Sequence, residues 1–537
     1  MTIQYEEKKL DYSGFQLSYR MYLPESGREQ RQLPLLILFD DTDSIHLPEE
    51  LTGQENPVIL SFRFNQKELE TGGLDLKKYQ FRKDPSVIIK HILELLDSVL
   101  KEYPIDFERL YLAGSGSGTV LSWELMRRRA GLFAAALLIG GGTDTEGFAP
   151  NAAAAIRLYH NIEDPEYPVT LSRRLYLLLM DVYCDVKLKE FSGTASLQNI
   201  LEKEKALNWL FGVRQNVFTS MPLPEKMNII ELDSGRFTAR ILPEAGGNLY
   251  SLREKESGIP LLREPHRPEE LFHTPERFGI PMLFPPNRIE DGSFFFDGRI
   301  CRLPVNQKLQ NLHLHGLAVS KPWELISSGR DFAEVKFVFD EKAPEYAGFP
   351  FAFEILRRYE LNEKGLCDTV TVRNLGTVTM PLGLGYHTAF PAEKVQVRVG
   401  TGDYGIEIGK NFLPTGNCFR WKEYDPRESF DPFGKNVGFH AEAGNLELEN
   451  GLQFHGAELR YPAGILRYVT DEKLGFWYTW NAGGLNNFLC LEPVSWMANA
   501  LNLPLPANRS GVRKLAPDER ITFENRLEFF PYGDIFR

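Results

Sequence analysis

Proton transfer near neutral pH is the work of imidazole and carboxylate groups, and the C-terminal part of this chain carries both in four separate segments. GIPMLFPPNRI contains Asn287 and Arg288, and NLHLHGLAVSKPWEL contains His313 and His315. MPLGLGYHTAF carries His387, and FLCLEPVSWMANALN carries Glu492. Singly, each segment is a weak signal: an arginine after a strand usually makes an ion pair, and a lone histidine or glutamate is more often structural. Their order and spacing along the chain are specific. Nucleophilic chemistry is the other candidate. RLYLAGSGSGTVLSWEL sets Ser115 and Ser117 in a glycine-rich turn between a strand and a helix, a place where a hydroxyl can be lifted above a sheet.

That turn resembles the nucleophile elbow, G-x-S-x-G, of the esterase branch of the α/β-hydrolases, in its strand and in the Trp123-Glu124-Leu125 that follows. In this alignment Gly114 and Gly118 are the flanking glycines, Gly116 occupies the nucleophile position, and Ser115 and Ser117 fall on the two variable positions. A side chain one residue off the apex of a tight turn points elsewhere. The family's acid would be Asp164, in RLYHNIEDPEYPV, and its histidine should follow in a loop such as SGTAS (192–196). No histidine occurs between His160 and His266. Without an imidazole a serine hydroxyl lacks its general base. The expectation is a hydrolase-like scaffold that is catalytically silent and serves packing, dimerisation or substrate presentation. His46, His91 and His160 are then surface or satisfied core residues.

The elements that must hold these residues fall into two rhythms. Residues 1–220 alternate strands and helices: apolar runs such as LPLLILFD and PVILSFRF, then a helix with Asp84 to cap it, Pro85 in its first turn and Ile88, Ile92, Leu95 and Val99 as one stripe. Further helices are expected over 119–129, 169–183 and 197–213. This alternation builds a mostly parallel sheet covered on both faces, and the resemblance of the glycine turn implies that it is a three-layer α/β-hydrolase-like domain. MPLPEK (221–226) reads as a short linker. Over 227–537 the period becomes two, as in AEVKFVFD, FAFEILRRYEL and DTVTVRN, which suggests a large antiparallel β-sandwich or barrel.

Taken together, the four C-terminal segments resemble the aldose 1-epimerase (galactose mutarotase) family over about residues 227–530. The matching stretches are the P-x-x-FP-x-NRI signature, the HG after it, a histidine before an aromatic at a strand end, and a late EP. The resemblance implies an all-β supersandwich with a sugar cleft. It implies Glu492 as general base, His387 as general acid, His315 as a second histidine that polarises the sugar, and Asn287 and Arg288 as binders of its hydroxyls. An isomerase of this kind converts one anomer of a free sugar into the other by removing the C1 hydroxyl proton while protonating the ring oxygen. One carboxylate and one imidazole suffice, and neither metal nor redox cofactor is implied.

Two further residues could line the cleft. His313 lies two positions before His315, and residues i and i+2 of a strand share a face. Trp480, with Trp477 and Trp496, flanks the Glu492 segment, where an aromatic can stack on a sugar ring or merely fill the core. Relatives often carry an Asp between the second histidine and the Glu. The corresponding stretch here offers His440 in its place, with Asp425 and Asp431 just upstream, and the alignment leaves the three open.

Composition narrows the remaining classes. A net charge of −12 is a poor footprint for nucleic acid or an anionic membrane. No apolar run reaches the length of a membrane span. Five scattered cysteines without a CxxC pair argue against a disulfide framework or a zinc site and for a reducing cytoplasm. The leading expectation is an aldose 1-epimerase of carbohydrate metabolism acting on a small sugar, its oligomeric state left open. A carbohydrate-binding protein without turnover comes second, and a carbohydrate esterase using Ser115 or Ser117 third.

Overall fold

The computed structural model describes residues 5–535 apart from 13–14, 25–31, 41–44, 46, 48–54, 65–68, 70–80, 142–153, 182–183, 193–196, 216–220, 309, 410, 423–424 and 449. The chain divides into two compact units, Met1–Val217 and Phe218–Arg537. MPLPEK, expected as a linker, is part of the second unit, where the Met221 N–H bonds the Phe272 carbonyl at 2.8 Å.

The first unit is an α/β structure on one eight-stranded sheet. Its strands are β1 (Glu6–Tyr12), β2 (Phe15–Tyr22), β3 (Leu33–Phe39), β4 (Val58–Phe62), β5 (Ile105–Ser115), β6 (Ala135–Ile139), β7 (Ala155–Asn161) and β8 (Val186–Phe191), in spatial order β1-β2-β4-β3-β5-β6-β7-β8. From β4 to β8 all neighbours are parallel, while β1 and β2 join antiparallel at one edge. Alternate residues of β3 feed two cores. Leu33, Leu35, Ile37 and Phe39 pack with helices Val87–Glu102, Ser117–Arg128 and Val169–Asp181, and Leu36 and Leu38 pack with Leu197–Lys203 and Ala206–Gly212. Burial on both faces is why β3 reads as an unbroken apolar run.

Two details differ from expectation. The helix Val87–Glu102 is capped by Ser86, whose Oγ accepts from the Ile89 N–H at 3.4 Å, and not by Asp84. The single helix expected over 197–213 is two, because Lys205 adopts φ 49°, outside the right-handed helical region, and interrupts the ladder.

The second unit is multi-sheet and mostly β. A nine-stranded sheet runs from Glu324–Ser328 through Phe332–Phe339, Phe353–Asn362, Gly365–Asn374, Arg520–Pro531, Gly464–Val469 and Gln453–Tyr461 to Gln396–Val399, with Asn445–Glu447 also paired to Gln453–Tyr461. An eight-stranded sheet orders Met282–Leu283, Gly385–Tyr386, Phe488–Val494, Phe476–Trp480, His440–Ala443, Thr401–Ile408 and Pro414–Arg420, with Thr388–Pro391 also paired to Phe488–Val494. Both sheets are antiparallel throughout. They share one apolar cluster: Phe337, Phe353, Ile355, Val370 and Val372 from the first, Ala441, Trp477, Leu489 and Leu491 from the second. Side chains alternate along a strand. Sinking Leu489 and Leu491 into that cluster therefore turns Cys490 and Glu492 to the other face.

Candidate active site

Strand register assembles the site before any side-chain contact is considered. His440 pairs with Tyr478, and Tyr478 with Glu492, so these three lie side by side on one face of the eight-stranded sheet. On the other flank of Glu492, Val494 pairs with Gly385 and Leu491 with Thr388. His387, between those two short strands, therefore comes opposite Glu492. Its Nε2 lies 3.1 Å from Glu492 Oε1, and both side chains are buried. The His387 backbone is held by its N–H bond to the Pro281 carbonyl at 3.0 Å.

The NRI segment and the HG segment meet as partners. Arg288 pairs with Leu314 and Ile289 with His313. Asn287 at φ 60° and His315 at φ 65° both take the left-handed conformation, and the His315 N–H donates to the Asn287 carbonyl at 3.0 Å. Gly316 follows at φ 77°, where a Cβ would collide with the Phe284 carbonyl, so only glycine lets the two loops close. This crossing sets the His315 ring edge-on to His387, centroids 5.0 Å apart. Asn287 turns its Oδ1 back to the Arg288 N–H at 2.9 Å, which fixes the start of the arginine. The guanidinium lies 5.0 Å from the Phe412 ring. Its buried Nε has no hydrogen-bond partner among the described residues.

Burial dominates the electrostatics. It pushes the Glu492 carboxyl up to about 8, with the carboxylate of Glu276 adding to the rise and the charge of Arg288 opposing it. Burial pushes His387 down to about 3 and His315 well below the ordinary imidazole value. Arg288 is also lowered by burial, while Tyr478 and Glu492 favour its charge. Between about 3 and 8 the touching pair Glu492–His387 therefore holds one proton. Moving that proton from one partner to the other converts a neutral pair into a carboxylate and an imidazolium, one base and one acid in contact.

The other predicted residues divide. Trp480 flanks the site, its ring edge-on to His387 with centroids 5.9 Å apart. Trp477 and Trp496 are fully buried and bond the carbonyls of Gly400 and Pro286 through their indole N–H groups. His313 donates from Nδ1 to the Pro304 carbonyl at 2.7 Å, and its charge acts on His315. His440 shares the face of Glu492, stacks on Tyr478 with centroids 3.7 Å apart, and bonds the Trp477 carbonyl. Asp425 is paired with Arg427, and Asp431 caps the Phe433 N–H.

Sequence reading missed Tyr478, Glu276 and Arg277. Tyr478 was legible in principle, two residues before Trp480 on a strand. Glu276 and Arg277 sit in a 3₁₀ turn (Pro275–Arg277) with no periodic signal. Among the described residues no group of three or more His, Cys, Asp or Glu is arranged to hold a metal ion.

In the first unit the glycine turn carries no side chain at its apex. Gly116 is at φ 53°, ψ −117°, between β5 and helix Ser117–Arg128. A Cβ at Gly118 would collide with the Phe39 carbonyl, and one at Gly114 with Gly118. Ser115 Oγ donates to Asp40 Oδ1 at 2.7 Å. Asp164 caps its own loop, accepting from the Glu166 and Tyr167 N–H groups. His160 bonds Ser172 and the Tyr167 carbonyl, and His91 bonds the Val87 carbonyl. His46 and most of the SGTAS loop, 193–196, lie outside the described residues.

These features meet an independent comparison. The aldose 1-epimerase family model matches residues 228–528, over half of the chain. The chain belongs to the aldose 1-epimerase family. Among solved structures it is similar to a galactose mutarotase-like protein from Clostridium acetobutylicum, at 27% identity and a TM-score of 0.54, covering 57% of this chain and 98% of that one. Among curated proteins it is 30% identical over 124 residues to YihR, an uncharacterized protein of Escherichia coli K12, spanning 23% of this chain and 38% of YihR. YphB of the same organism, also uncharacterized, is 24% identical over 259 residues, covering 46% of this chain and 82% of YphB. No helix among the described residues is long and apolar enough to cross a membrane.

Proposed function

We propose that this chain is an isomerase that interconverts the α and β anomers of a free sugar in the second unit, which we read as a mutarotase-type supersandwich. The observation that carries the reading is the buried contact between His387 Nε2 and Glu492 Oε1 at 3.1 Å, with His315 and Arg288 beside it. In a pyranose, O1 and the ring oxygen are both bonded to C1. Two groups that touch each other can therefore each reach one of the two oxygens.

Glu492, as carboxylate, takes the proton of the C1 hydroxyl. The electron pair of that O–H bond forms the aldehyde C=O, the bond from C1 to the ring oxygen breaks, and the ring oxygen takes the proton of the His387 imidazolium. After rotation about C1–C2 the same transfers run backwards onto the other face. The pair begins and ends with one proton, so no group outside it is consumed. Arg288 stabilises the carboxylate form of Glu492 and offers its unpaired N–H to hydroxyls. Asn287 positions Arg288, and the His315 ring borders the ring-oxygen side. Trp480 supplies an aromatic wall, and His313 acts on His315 electrostatically.

We read the first unit as a hydrolase-type scaffold that performs no hydrolysis, because the elbow apex is glycine and no histidine follows Asp164 in the sequence before His266. Anomer-exchange NMR on a panel of free aldoses tests the main proposal. Wild-type protein should equilibrate the anomers of at least one sugar, and Glu492→Gln should not. Equal rates for the two proteins across the panel would sink it, and would favour a binding protein without turnover.

A further inference from the structure

We propose that Glu276 contacts the substrate: its second carboxylate oxygen accepts a hydrogen bond from a hydroxyl of the sugar lying against Glu492 and His387, and so selects among aldoses. The inference rests on the sugar site proposed above and assigns it a residue from outside the four motif segments.

Glu276 is 4% exposed, and its two oxygens are not equivalent. Oε1 accepts from Arg277 Nε at 3.3 Å, whereas Oε2 is buried without a hydrogen-bond partner among the described residues. A carboxylate oxygen out of water and without a donor is costly, and the cost is recovered only when something supplies the donor. Cations already face this carboxyl: Arg277 directly, and Arg263 through its charge. What is missing is an additional hydrogen-bond donor, and a neutral O–H fits that need.

Its position makes the donor a substrate hydroxyl. The Glu276 carbonyl faces the Cys490 thiol, with Sγ 3.9 Å away, and Cys490 is two residues before Glu492 on the same face of the same strand. Cys490 pairs across the sheet with Trp480. The guanidinium of Arg277 lies 5.5 Å from the Trp480 ring, and that ring borders His387. The carboxylate is also close enough to Glu492 to raise its pKa. The turn Pro275–Arg277 thus brings an acceptor to the Trp480 side of the site, while Arg288 presents a donor beside Glu492. A sugar has hydroxyls for both.

The test is a cycle on the full chain, crossing Glu276→Gln and Glu276→Asp with D-glucose, D-galactose and their singly deoxygenated derivatives, followed by anomer-exchange NMR. Glu276→Gln should lower kcat/KM on the order of tenfold or more for the parent sugar, mainly through KM. The loss should vanish for the one derivative lacking the hydroxyl that Glu276 holds, and Glu276→Asp should recover part of the activity. An equal loss on every derivative overturns the proposal. So does a variant whose only change is an alkaline limb moved to lower pH, because Glu276 would then act through charge on Glu492 alone. Should wild-type protein bind sugars without exchanging anomers, the function proposed above fails, and the same cycle on Kd measured by calorimetry still decides the role of Glu276. If Glu276→Gln does not fold, Glu276→Asp carries the cycle.

Discussion

At the scale of single residues, the two proton-transfer groups should be separable from the binding groups. Glu492→Gln keeps the shape and removes the base, so kcat should fall about 10²–10⁴-fold, the range for a positioned proton transfer, with sugar affinity largely retained. His387→Asn should behave alike, and Arg288→Ala should act mainly on KM. The pH profile of exchange follows from the shared proton: the rate should fall as pH rises through about 8, where the pair loses it, and again toward about 3, where a second proton arrives. The same buried carboxyl bears on stability. Burial raises its folded-state pKa above the ordinary 4.5, so its contribution to stability is whole below that pH and is lost as pH rises through about 8. Glu492→Gln should therefore unfold at nearly the wild-type temperature below about pH 4.5 and at an increasingly higher temperature up to about pH 8, by thermal melts across that range. Removing the buried charge should be worth on the order of 1–3 kcal/mol there.

At the scale of elements, the site depends on loops that other groups hold. Arg357 is fully buried, grips Asp368 with Nε at 2.9 Å and Nη2 at 2.6 Å, and gives Nη2 also to the Ile280 carbonyl at 3.0 Å. The next carbonyl, that of Pro281, receives the His387 N–H. Arg357→Met leaves Asp368 buried and unpaired, and should cost about 3–5 kcal/mol in denaturant unfolding. Adding Asp368→Leu should recover a substantial part of that, since no charge is then stranded. Gly316→Ala should be comparably damaging for a steric reason, and survivors should lose exchange activity because the His315 ring moves with the loop. An Ala variant with wild-type melting and exchange would refute the requirement for glycine at φ 77°.

At the scale of the whole molecule, a mostly β unit with the buried His387–Glu492 contact is joined in one chain to an α/β unit whose glycine turn has no side chain at its apex. Ser115 is engaged with Asp40, and Gly116 offers no side chain at the apex. The chain should therefore hydrolyse short-chain acyl esters no faster than buffer, and Ser115→Ala and Ser117→Ala should leave both ester hydrolysis and anomer exchange unchanged. A loss of measurable esterase activity in either variant would overturn the silent-scaffold reading.

What the amino-acid sequence determined by itself was whatever depends on short-range pattern. The apolar run of β3 and the period-two stretches of the second unit follow from which side chains can be buried on a strand, and the NRI, HG, H-aromatic and EP segments announce the family because their residue types and order are specific. The glycine at the apex of the first unit's turn was legible too, because it is a local fact of the sequence. Only the tertiary structure decided what depends on register and long-range burial. Sinking Leu489 and Leu491 in the shared core turns Glu492 outward, and the pairing of Tyr478 and Thr388 with its strand brings His387 to it. The same burial separates Trp480 from Trp477 and Trp496, which no composition could distinguish, and shifts Glu492 and His387 in opposite directions through desolvation. Glu276 and Arg277 were invisible along the chain because an irregular turn carries no periodicity, and their meaning comes entirely from the strand that folds beside them.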